Sequence, residues 1–230
     1  MKYRKTRTGI FLSRPNRFIA NVEIEGKREV VHVKNTGRCG EIFLPGARVI
    51  LEESENLNRK TRYDLVAAFK EGLGWVNVDS QAPNKVVREW LERSAGEAVF
   101  PGITYLKPEY SYGKSRVDFY LEYNGGRKVL MEVKGVTLER ERTGYFPDAP
   151  TERGVKHLRE LTEAVEKGYE CFLAFVIQME GVELVYPNGE THPEFQTALE
   201  EAEAAGVKIL YFRCNVEPDA LEIAAMGVRE

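Results

Sequence analysis

The sequence predicts a small all-β barrel at the N-terminus, followed by an α/β domain with a mixed sheet. Short β-rich runs separated by turn residues occupy about the first 80 residues. Further along the chain, strands alternate with helical segments, which is the order of an α/β domain. The length of 230 residues accommodates two small domains or one large one. We therefore expect the barrel to cover residues 1–81 and the α/β domain to cover residues 82–230.

The N-terminal part contains six short runs with strand character. The predicted strands are 9–12, 17–24, 30–33, 48–51, 63–69 and 74–79. Several short strands in so little chain favour a closed barrel, because closure leaves no unpaired sheet edge. The length and the basic charge of this part fit a five-stranded barrel of the oligonucleotide-binding type.

The elements after the barrel follow from hydrophobic periodicity and from capping residues. A helix is predicted at 83–93, because Pro83 suits a first turn and the apolar residues after it share one face. Thr151 is a suitable N-cap for a helix at 151–167, and Gly206 suits the end of a helix at 194–205. The predicted strands are 115–123, 127–136, the nearly continuous apolar run 171–178, and 207–213.

Charge is distributed unevenly between the two halves. Residues 1–62 contain fourteen Lys or Arg and seven Asp or Glu, a local net charge of +7, so the rest carries −10 within a total of −3. Such asymmetry indicates either a segment that binds a polyanion or an unevenly charged, solvated surface. If DNA binds here, contacts to its backbone would be salt-dependent and tolerant of sequence. The candidate barrel residues are Arg14, Arg17, Lys34, Arg38 and Arg48.

Several classes of protein are disfavoured. No run of about 18 apolar residues is present, so we expect no membrane-spanning helix and no membrane partner. The basic start is not followed by the apolar segment of a secretion signal. Cys39, Cys171 and Cys214 are far apart and lack metal-ligand spacing, which favours a reducing compartment. We expect a cytoplasmic protein, and the sequence leaves the oligomeric state open.

The pair of strands at 115–123 and 127–136 carries the residues with the clearest chemical potential. Side chains alternate along a strand, so Glu132 and Lys134 share one face. If residues 124–126 form a three-residue loop, Asp118 lies directly across from Glu132. Gly126 supplies the positive φ that such a loop needs near its end. A two-residue loop would instead place the two acids on opposite faces of the sheet.

Two carboxylates directly opposite each other repel unless something compensates their charge. A bound divalent cation does so, and the absence of a Cys or His cluster points to Mg²⁺ or Mn²⁺ rather than zinc. Lys134 could then help to activate water and stabilise charge on a phosphate. The alternative is an ordinary surface hairpin whose charges form a salt bridge.

Six segments resemble, in order along the chain, the sugar fermentation stimulation protein (SfsA) family. The most specific is Gly-Tyr-Phe-Pro-Asp-Ala at 144–149. The other matching segments are 35–37, 115–119, 132–134, 151–154 and 156–161. The resemblance implies an oligonucleotide-binding-type barrel, followed by a restriction-endonuclease-like domain of the PD-(D/E)xK superfamily. It also implies DNA binding without sequence preference, and the family takes its name from a proposed regulatory role in sugar use.

The resemblance also implies roles for particular residues. Asp118 and Glu132 match the metal ligands of the superfamily, and Lys134 matches its catalytic lysine. An acidic residue on the preceding helix often joins them, and Glu89 is the expected match, with Glu92 as the alternative. A later glutamine often contributes, here Gln178. The proline that names the superfamily is replaced by Val117, which changes no ligand.

Further contacts to DNA are predicted around this hairpin. Arg153, Lys156 and His157 lie near the start of a helix, where the helix dipole favours anions. Arg116 precedes the acidic pair and would also suit a phosphate. Each set could equally be a solvated or ion-paired surface. The sequence thus favours a magnesium- or manganese-dependent nuclease that acts on single- or double-stranded DNA. The alternatives are a non-catalytic DNA-binding regulator and an interaction scaffold.

Overall fold

The computed structural model describes residues 1–56, 58–113 and 115–229, with the side chains of residues 94 and 95 excepted. The N-terminal part is a β-barrel. Its strands are β1 (Thr6–Asn16), β2 (Ile19–Ile24), β3 (Lys27–Val33), β4 (Arg48–Glu53), β5 (Tyr63–Lys70) and β6 (Gly74–Asn77). They pair in the order β3-β2-β1-β4-β5-β6, and a parallel pairing of β3 with β5 closes a five-stranded barrel. The predicted closed barrel is confirmed.

The barrel interior is filled by apolar side chains that alternate with exposed residues along the strands. Phe11, Val22, Leu51 and Leu65 are each at most 2% exposed. Gly9 allows β1 to cross its neighbours closely, because a Cβ atom at this position would lie 2.5 Å from Val22 Cγ1. The barrel interior is therefore a packed core, and the exposed side chains of the strands lie on its outer surface.

The C-terminal part is an α/β domain. Its first half contains α1 (Ala82–Leu91), α2 (Ser94–Val99), β7 (Tyr105–Tyr112), β8 (Ser115–Tyr123), β9 (Arg127–Val136), β10 (Leu138–Arg140) and β11 (Thr143–Phe146). Its second half contains α3 (Glu152–Glu166), β12 (Glu170–Ile177), β13 (Val185–Pro187), α4 (Pro193–Ala205), β14 (Lys208–Glu217) and β15 (Ala220–Val228). The main sheet has the order β15-β14-β12-β9-β8-β7, and β10, β11 and β13 form a small second sheet.

The main sheet is mixed, as predicted. Strands β9, β12 and β14 run parallel, whereas the outer pairs are antiparallel. Helix α3 buries Val155, Leu158 and Leu161, which pack in one core cluster with α4 residues, and α1 residues belong to a second cluster. The capping predictions are confirmed, because Thr151 Oγ1 accepts a hydrogen bond from Gly154 N at 3.0 Å and Gly206 has a φ of 105°.

Six elements were not predicted: α2, β7, β10, β11, β13 and β15. Strands β7 and β15 are the two edges of the main sheet, and β7 contains Pro108. Both strands bury little, because β7 alternates exposed and half-buried residues and β15 buries Leu221 alone, so their apolar pattern is weak. Within the described ranges, no helix has both the length and the apolar composition needed to cross a membrane.

Candidate metal centre

The hairpin of β8 and β9 has the register that brings the two acids together. Tyr123 pairs with Arg127 and Phe119 pairs with Met131, so residues 124–126 form the predicted three-residue loop. All three loop residues have positive φ, including Gly126 at 108°. Backbone pairing of the two strands extends to Phe119 and Met131. Next to this pair, the side chain of Asp118 links the strands, because its Oδ2 accepts a hydrogen bond from Val133 N at 2.8 Å.

Asp118 is held from a second side by helix α1. Asn84 in the first turn of that helix donates from Nδ2 to Asp118 Oδ1 at 2.7 Å. Burial raises the pKa of Asp118, and the nearby charge of Glu132 raises it further, against the hydrogen bond from Val133 N and the charge of Lys134. Negative charge at Asp118 is therefore less favourable than in water, and a bound cation would compensate it.

Glu132 is almost fully buried, at 2% exposure, and its two oxygens have different surroundings. Its Oε1 accepts hydrogen bonds from Lys134 Nζ at 2.5 Å and from His157 Nδ1. Burial would raise the pKa of Glu132, but the charge of Lys134 and the contact with His157 outweigh it and lower the pKa. The other oxygen, Oε2, is buried and has no hydrogen-bond partner among the described residues.

The tautomer of His157 follows from its two neighbours. Arg153 Nε lies 3.3 Å from His157 Nε2, and an arginine nitrogen can only donate. His157 Nε2 therefore accepts, and Nδ1 carries the proton that is donated to Glu132 Oε1. His157 is 5% exposed, so the prediction that it contacts DNA phosphate is wrong: it holds a carboxylate in place. The sequence contained an indication of this burial, because residues 154, 157, 158 and 161 are spaced so that they share one face of a helix. The structure buries all four.

These residues fit a hard divalent cation. The pair offers carboxylate oxygens, one of which is a buried acceptor without a partner among the residues that the structure describes, as Glu41 Oε1 and Glu160 Oε2 also are. At Glu132 a second carboxylate and the ammonium group of Lys134 lie close by. No group of three or more His, Cys, Asp or Glu side chains suited to a metal occurs in 1–56, 58–113 and 115–229. Two carboxylates suit Mg²⁺, which is usually bound through one or two of them and keeps several waters.

The structure does not bring Glu89 to the carboxylate pair. Glu89 Oε2 contacts the α-amino group of Met1 at 2.8 Å and lies 3.7 Å from Arg93 Nη2. The alternative, Glu92, pairs with Arg88 at the surface. Asn84 is the α1 residue that reaches Asp118, and Glu89, five positions later, lies on a different face of the helix.

Gln178 also differs from its predicted place. Its Nε2 donates to Asn77 O at 3.0 Å, Asn77 Oδ1 at 2.9 Å and Asp79 O at 3.2 Å. Because Gln178 is 1% exposed, these contacts satisfy an amide that would otherwise be buried without partners. The residue joins the end of the barrel to the main sheet, so its Nε2 is not available to a water at the carboxylate pair.

Two of the barrel residues predicted to contact DNA are engaged within the protein. Arg14 donates to the backbone carbonyls of four residues, namely Arg17, Asn35, Gly37 and Arg38, at 2.6–2.9 Å. Lys34 Nζ lies within 3.8 Å of three carboxylates, those of Glu52, Asp64 and Asp79. Neither cation is free for a phosphate, so both predictions are corrected.

The other basic candidates are exposed. Arg17, Arg38 and Arg48 lie on the barrel surface, and the Arg48 guanidinium stacks over Phe69 at 4.1 Å. Arg153 is exposed beside His157. Two further candidates have acidic neighbours at the surface: Arg116 contacts Glu109 at 3.0 Å, and Lys156 contacts Glu160 at 3.7 Å. Such exposed pairs are weak, so these cations remain accessible to an anion.

Comparison with known proteins identifies relatives along the whole chain. A profile described as the SfsA N-terminal OB domain matches residues 12–78, and a profile described as the sugar fermentation stimulation protein RE domain matches residues 81–220. A sugar fermentation stimulation protein homolog of Desulfitobacterium hafniense is 54% identical over 222 residues, which are 96% of this chain and 95% of the relative. The homolog of Ruminiclostridium cellulolyticum is 50% identical over 223 residues, 97% of this chain and 96% of the relative.

A solved structure agrees with these matches. The structure of Pyrococcus furiosus SfsA in complex with Ca²⁺ superposes with a TM-score of 0.86 at 27% identity and covers 100% of this chain and 95% of that chain. The predicted fold class is thus confirmed, with an oligonucleotide-binding-type barrel followed by a restriction-endonuclease-like domain. The chain belongs to the sugar fermentation stimulation protein (SfsA) family.

Proposed function

We propose that this protein binds DNA without sequence preference and cleaves its phosphodiester bonds with the help of Mg²⁺ or Mn²⁺. The observation that carries the proposal is the pair of the half-buried Asp118 and the buried Glu132 with Lys134 beside it, in which Glu132 Oε2 lacks a partner within the described part of the chain. A buried carboxylate oxygen without a donor is expected where a cation binds.

Asp118 and Glu132 would hold the cation, which supplies Lewis-acid chemistry at a phosphate when it is bound. Asn84 and Val133 N orient the Asp118 carboxylate through hydrogen bonds to both of its oxygens. Lys134 keeps its ammonium group at Glu132 Oε1, where it can stabilise negative charge that develops on a phosphate oxygen.

Two further observations support a divalent cation and a DNA substrate. The Pyrococcus furiosus relative was solved in complex with Ca²⁺, and Ca²⁺ and Mg²⁺ share a preference for oxygen ligands. Residues 1–62 carry a net charge of +7. Exposed arginines on the barrel and on α3 would provide backbone contacts that do not depend on sequence.

DNA binding without cleavage is the second candidate function. It is favoured by the absence, among the described residues, of a cluster of three or more metal-binding side chains. We prefer cleavage because a two-carboxylate site is sufficient for Mg²⁺ and because a purely structural hairpin would gain nothing from an unpartnered buried oxygen.

Labelled single- and double-stranded DNA, incubated with Mg²⁺, Mn²⁺ or EDTA, tests the proposal. We expect cleavage that requires the metal and that is lost in Asp118→Asn and in Lys134→Ala. Lys128→Ala is the matched control, because Lys128 lies on the same strand but is exposed. Salt-sensitive binding with no cleavage under any of these conditions would contradict the nuclease and support the second candidate.

A further inference from the structure

A cavity of about 310 Å³ lies between the barrel and the α/β domain. Its barrel side is formed by Arg17 and residues 35–37, and its other side by Gly135 and residues 145–151. Gly135 directly follows Lys134, and Thr151 caps the helix whose His157 contacts Glu132. The cavity therefore lies next to two segments that carry residues of the candidate metal centre, although none of Asp118, Glu132, Lys134 and His157 lines it.

The lining of the cavity suits a base and a sugar rather than a run of phosphates. Among the described lining residues, Arg17 and Asp148 are the charged ones. The Asp148 carboxylate already accepts a hydrogen bond from Cys39 N at 2.8 Å, which holds the 35–39 loop against the α/β domain. The uncharged polar groups around the cavity belong to Asn35, Thr36, Ser80, Thr137, Tyr145, Thr151 and Gln178.

An exposed aromatic ring lies beside one of the residues that line this cavity. Phe18 is 49% exposed, and the guanidinium of Arg17, which lines the cavity, lies 4.9 Å from the centre of its ring. Asn16 Oδ1 accepts hydrogen bonds from Phe18 N at 2.9 Å and Ile19 N at 3.2 Å, so the turn that presents the ring is fixed.

The turn that carries Phe18 is also tied to the loop that lines the cavity. Arg14 ties the carbonyl of Arg17 to those of Asn35, Gly37 and Arg38, which joins the β1–β2 turn to the loop lining the cavity. Arg17 and Arg38 are exposed there, and neither makes a salt bridge within 1–56, 58–113 and 115–229. A fixed aromatic ring with accessible cations is the combination on which unpaired bases stack.

We propose that the substrate enters as single-stranded DNA, with a base stacked on Phe18 and an adjacent unpaired nucleotide in the cavity. This inference rests on the proposed function and specifies its substrate class. A duplex cannot use either feature without unstacking, because its bases face one another and a cavity of this volume accepts only an extruded or unpaired nucleotide.

Binding of DNA measured in EDTA tests this inference separately from the proposed metal-dependent cleavage. Fluorescence anisotropy would compare one short oligonucleotide as a single strand and as a duplex. We expect the single strand to bind more tightly to the wild-type protein, and Phe18→Ala to weaken single-strand binding by roughly 5- to 100-fold. Phe18→Tyr should retain binding, because it keeps the aromatic face.

Val30→Ala is the matched control, since Val30 is nearly as exposed on the barrel as Phe18, at 48%, but has no aromatic face. Equal or tighter binding of the duplex, or a Phe18→Ala affinity equal to that of Val30→Ala, would overturn the inference. Because Phe18 is exposed, thermal unfolding should show that the variant is folded.

A second variant tests the cavity itself. Thr36→Trp places a large side chain at the exposed edge of the cavity and should reduce cleavage of a single strand more than cleavage of a duplex. An unchanged ratio of the two rates would contradict entry through the cavity. If no DNA is cleaved at all but Phe18 dependence of single-strand binding persists, the nuclease fails while the single-strand site is supported.

Discussion

Two buried clusters of charge, one in the barrel and one in the α/β domain, differ in how completely their hydrogen bonds are satisfied. In the barrel, Asp64 accepts from Arg59 and His32, and Asp79 accepts from Gln81 N, Tyr3 and Lys34, so all four carboxylate oxygens have partners. In the α/β domain, Glu132 Oε2 has none among the described residues. Both clusters combine acids and bases, but only the second leaves an acceptor open.

This difference distinguishes a cluster that stabilises the fold from a cluster that is suited to bind a ligand. A fully satisfied buried network fixes the fold, whereas a partly satisfied one is destabilising unless a ligand completes it. Burial would raise the pKa of Asp64, but hydrogen bonds from Arg59 and His32 outweigh it and lower the pKa, as the neighbours of Glu132 do for that carboxylate. The pKa of Asp118 is raised instead.

The largest expected effect is on activity. Asp118→Asn should reduce metal-dependent DNA cleavage by roughly 10²-fold or more, the size of effect found when one group that stabilises developing charge is removed. The free energy of unfolding should stay about the same, because burial disfavours the charge of Asp118 and Asn84 can turn its amide to accept from the new one. Cleavage rates and denaturant unfolding measure the two quantities; a large loss of stability would contradict the comparison.

The corresponding substitution in the barrel should reduce stability and leave the cleavage rate unchanged. Asp64→Asn removes a charge that Arg59 and Lys34 face, and should lower the free energy of unfolding by about 3 kcal/mol, near the lower end for a broken buried pair. The cleavage rate per folded molecule should not change. Denaturant unfolding and cleavage assays at the same temperature test both statements, and a variant that is inactive but as stable as wild type would show the clusters were assigned the wrong way round.

A smaller effect is expected from the histidine that orients Glu132. His157→Asn should raise the concentration of Mg²⁺ or Mn²⁺ required for half-maximal cleavage by roughly 10- to 100-fold, as when residues behind metal ligands are changed. Saturating metal should restore much of the rate, because His157 positions a ligand and does not contact the phosphate. A reduced rate at all metal concentrations, with an unchanged requirement for metal, would argue against this role.

The smallest effect concerns the exposed cations. Arg38→Gln should reduce the slope of log affinity for DNA against log salt concentration by about 0.7 to 0.9, the value for one phosphate contact. Lys34→Gln should not change the slope in this way, because Lys34 already faces three carboxylates. Titrations at several salt concentrations distinguish them, and equal slopes for Arg38→Gln and wild type would exclude Arg38 from the interface.

The parts of the fold that could be predicted depend on local rules. Loop length and positive φ at Gly126 set the register of β8 and β9, so the juxtaposition of Asp118 with Glu132 follows from the residues between them. Closure of the barrel follows from several short strands in little chain. The caps at Thr151 and Gly206 could be predicted because each depends only on the helix that it begins or ends.

The predictions that were wrong depend on distant contacts. The sequence predicts Lys34 to be a cation available to DNA, but the fold brings Asp64 and Asp79 to it. The packing of α1 against the sheet determines which of its faces meets Asp118. That face carries Asn84, whereas Glu89 contacts Met1. Gln178 is fixed by Asn77 across the domain boundary.

The most direct test of the central claim is calorimetric titration of Mn²⁺ or Ca²⁺ into the wild-type protein, Glu132→Gln and Asp64→Asn. If the open acceptor at Glu132 is the cation site, the wild-type protein and Asp64→Asn should bind the ion and Glu132→Gln should not. Retained binding in Glu132→Gln, or loss of binding in Asp64→Asn with the protein still folded, would contradict it.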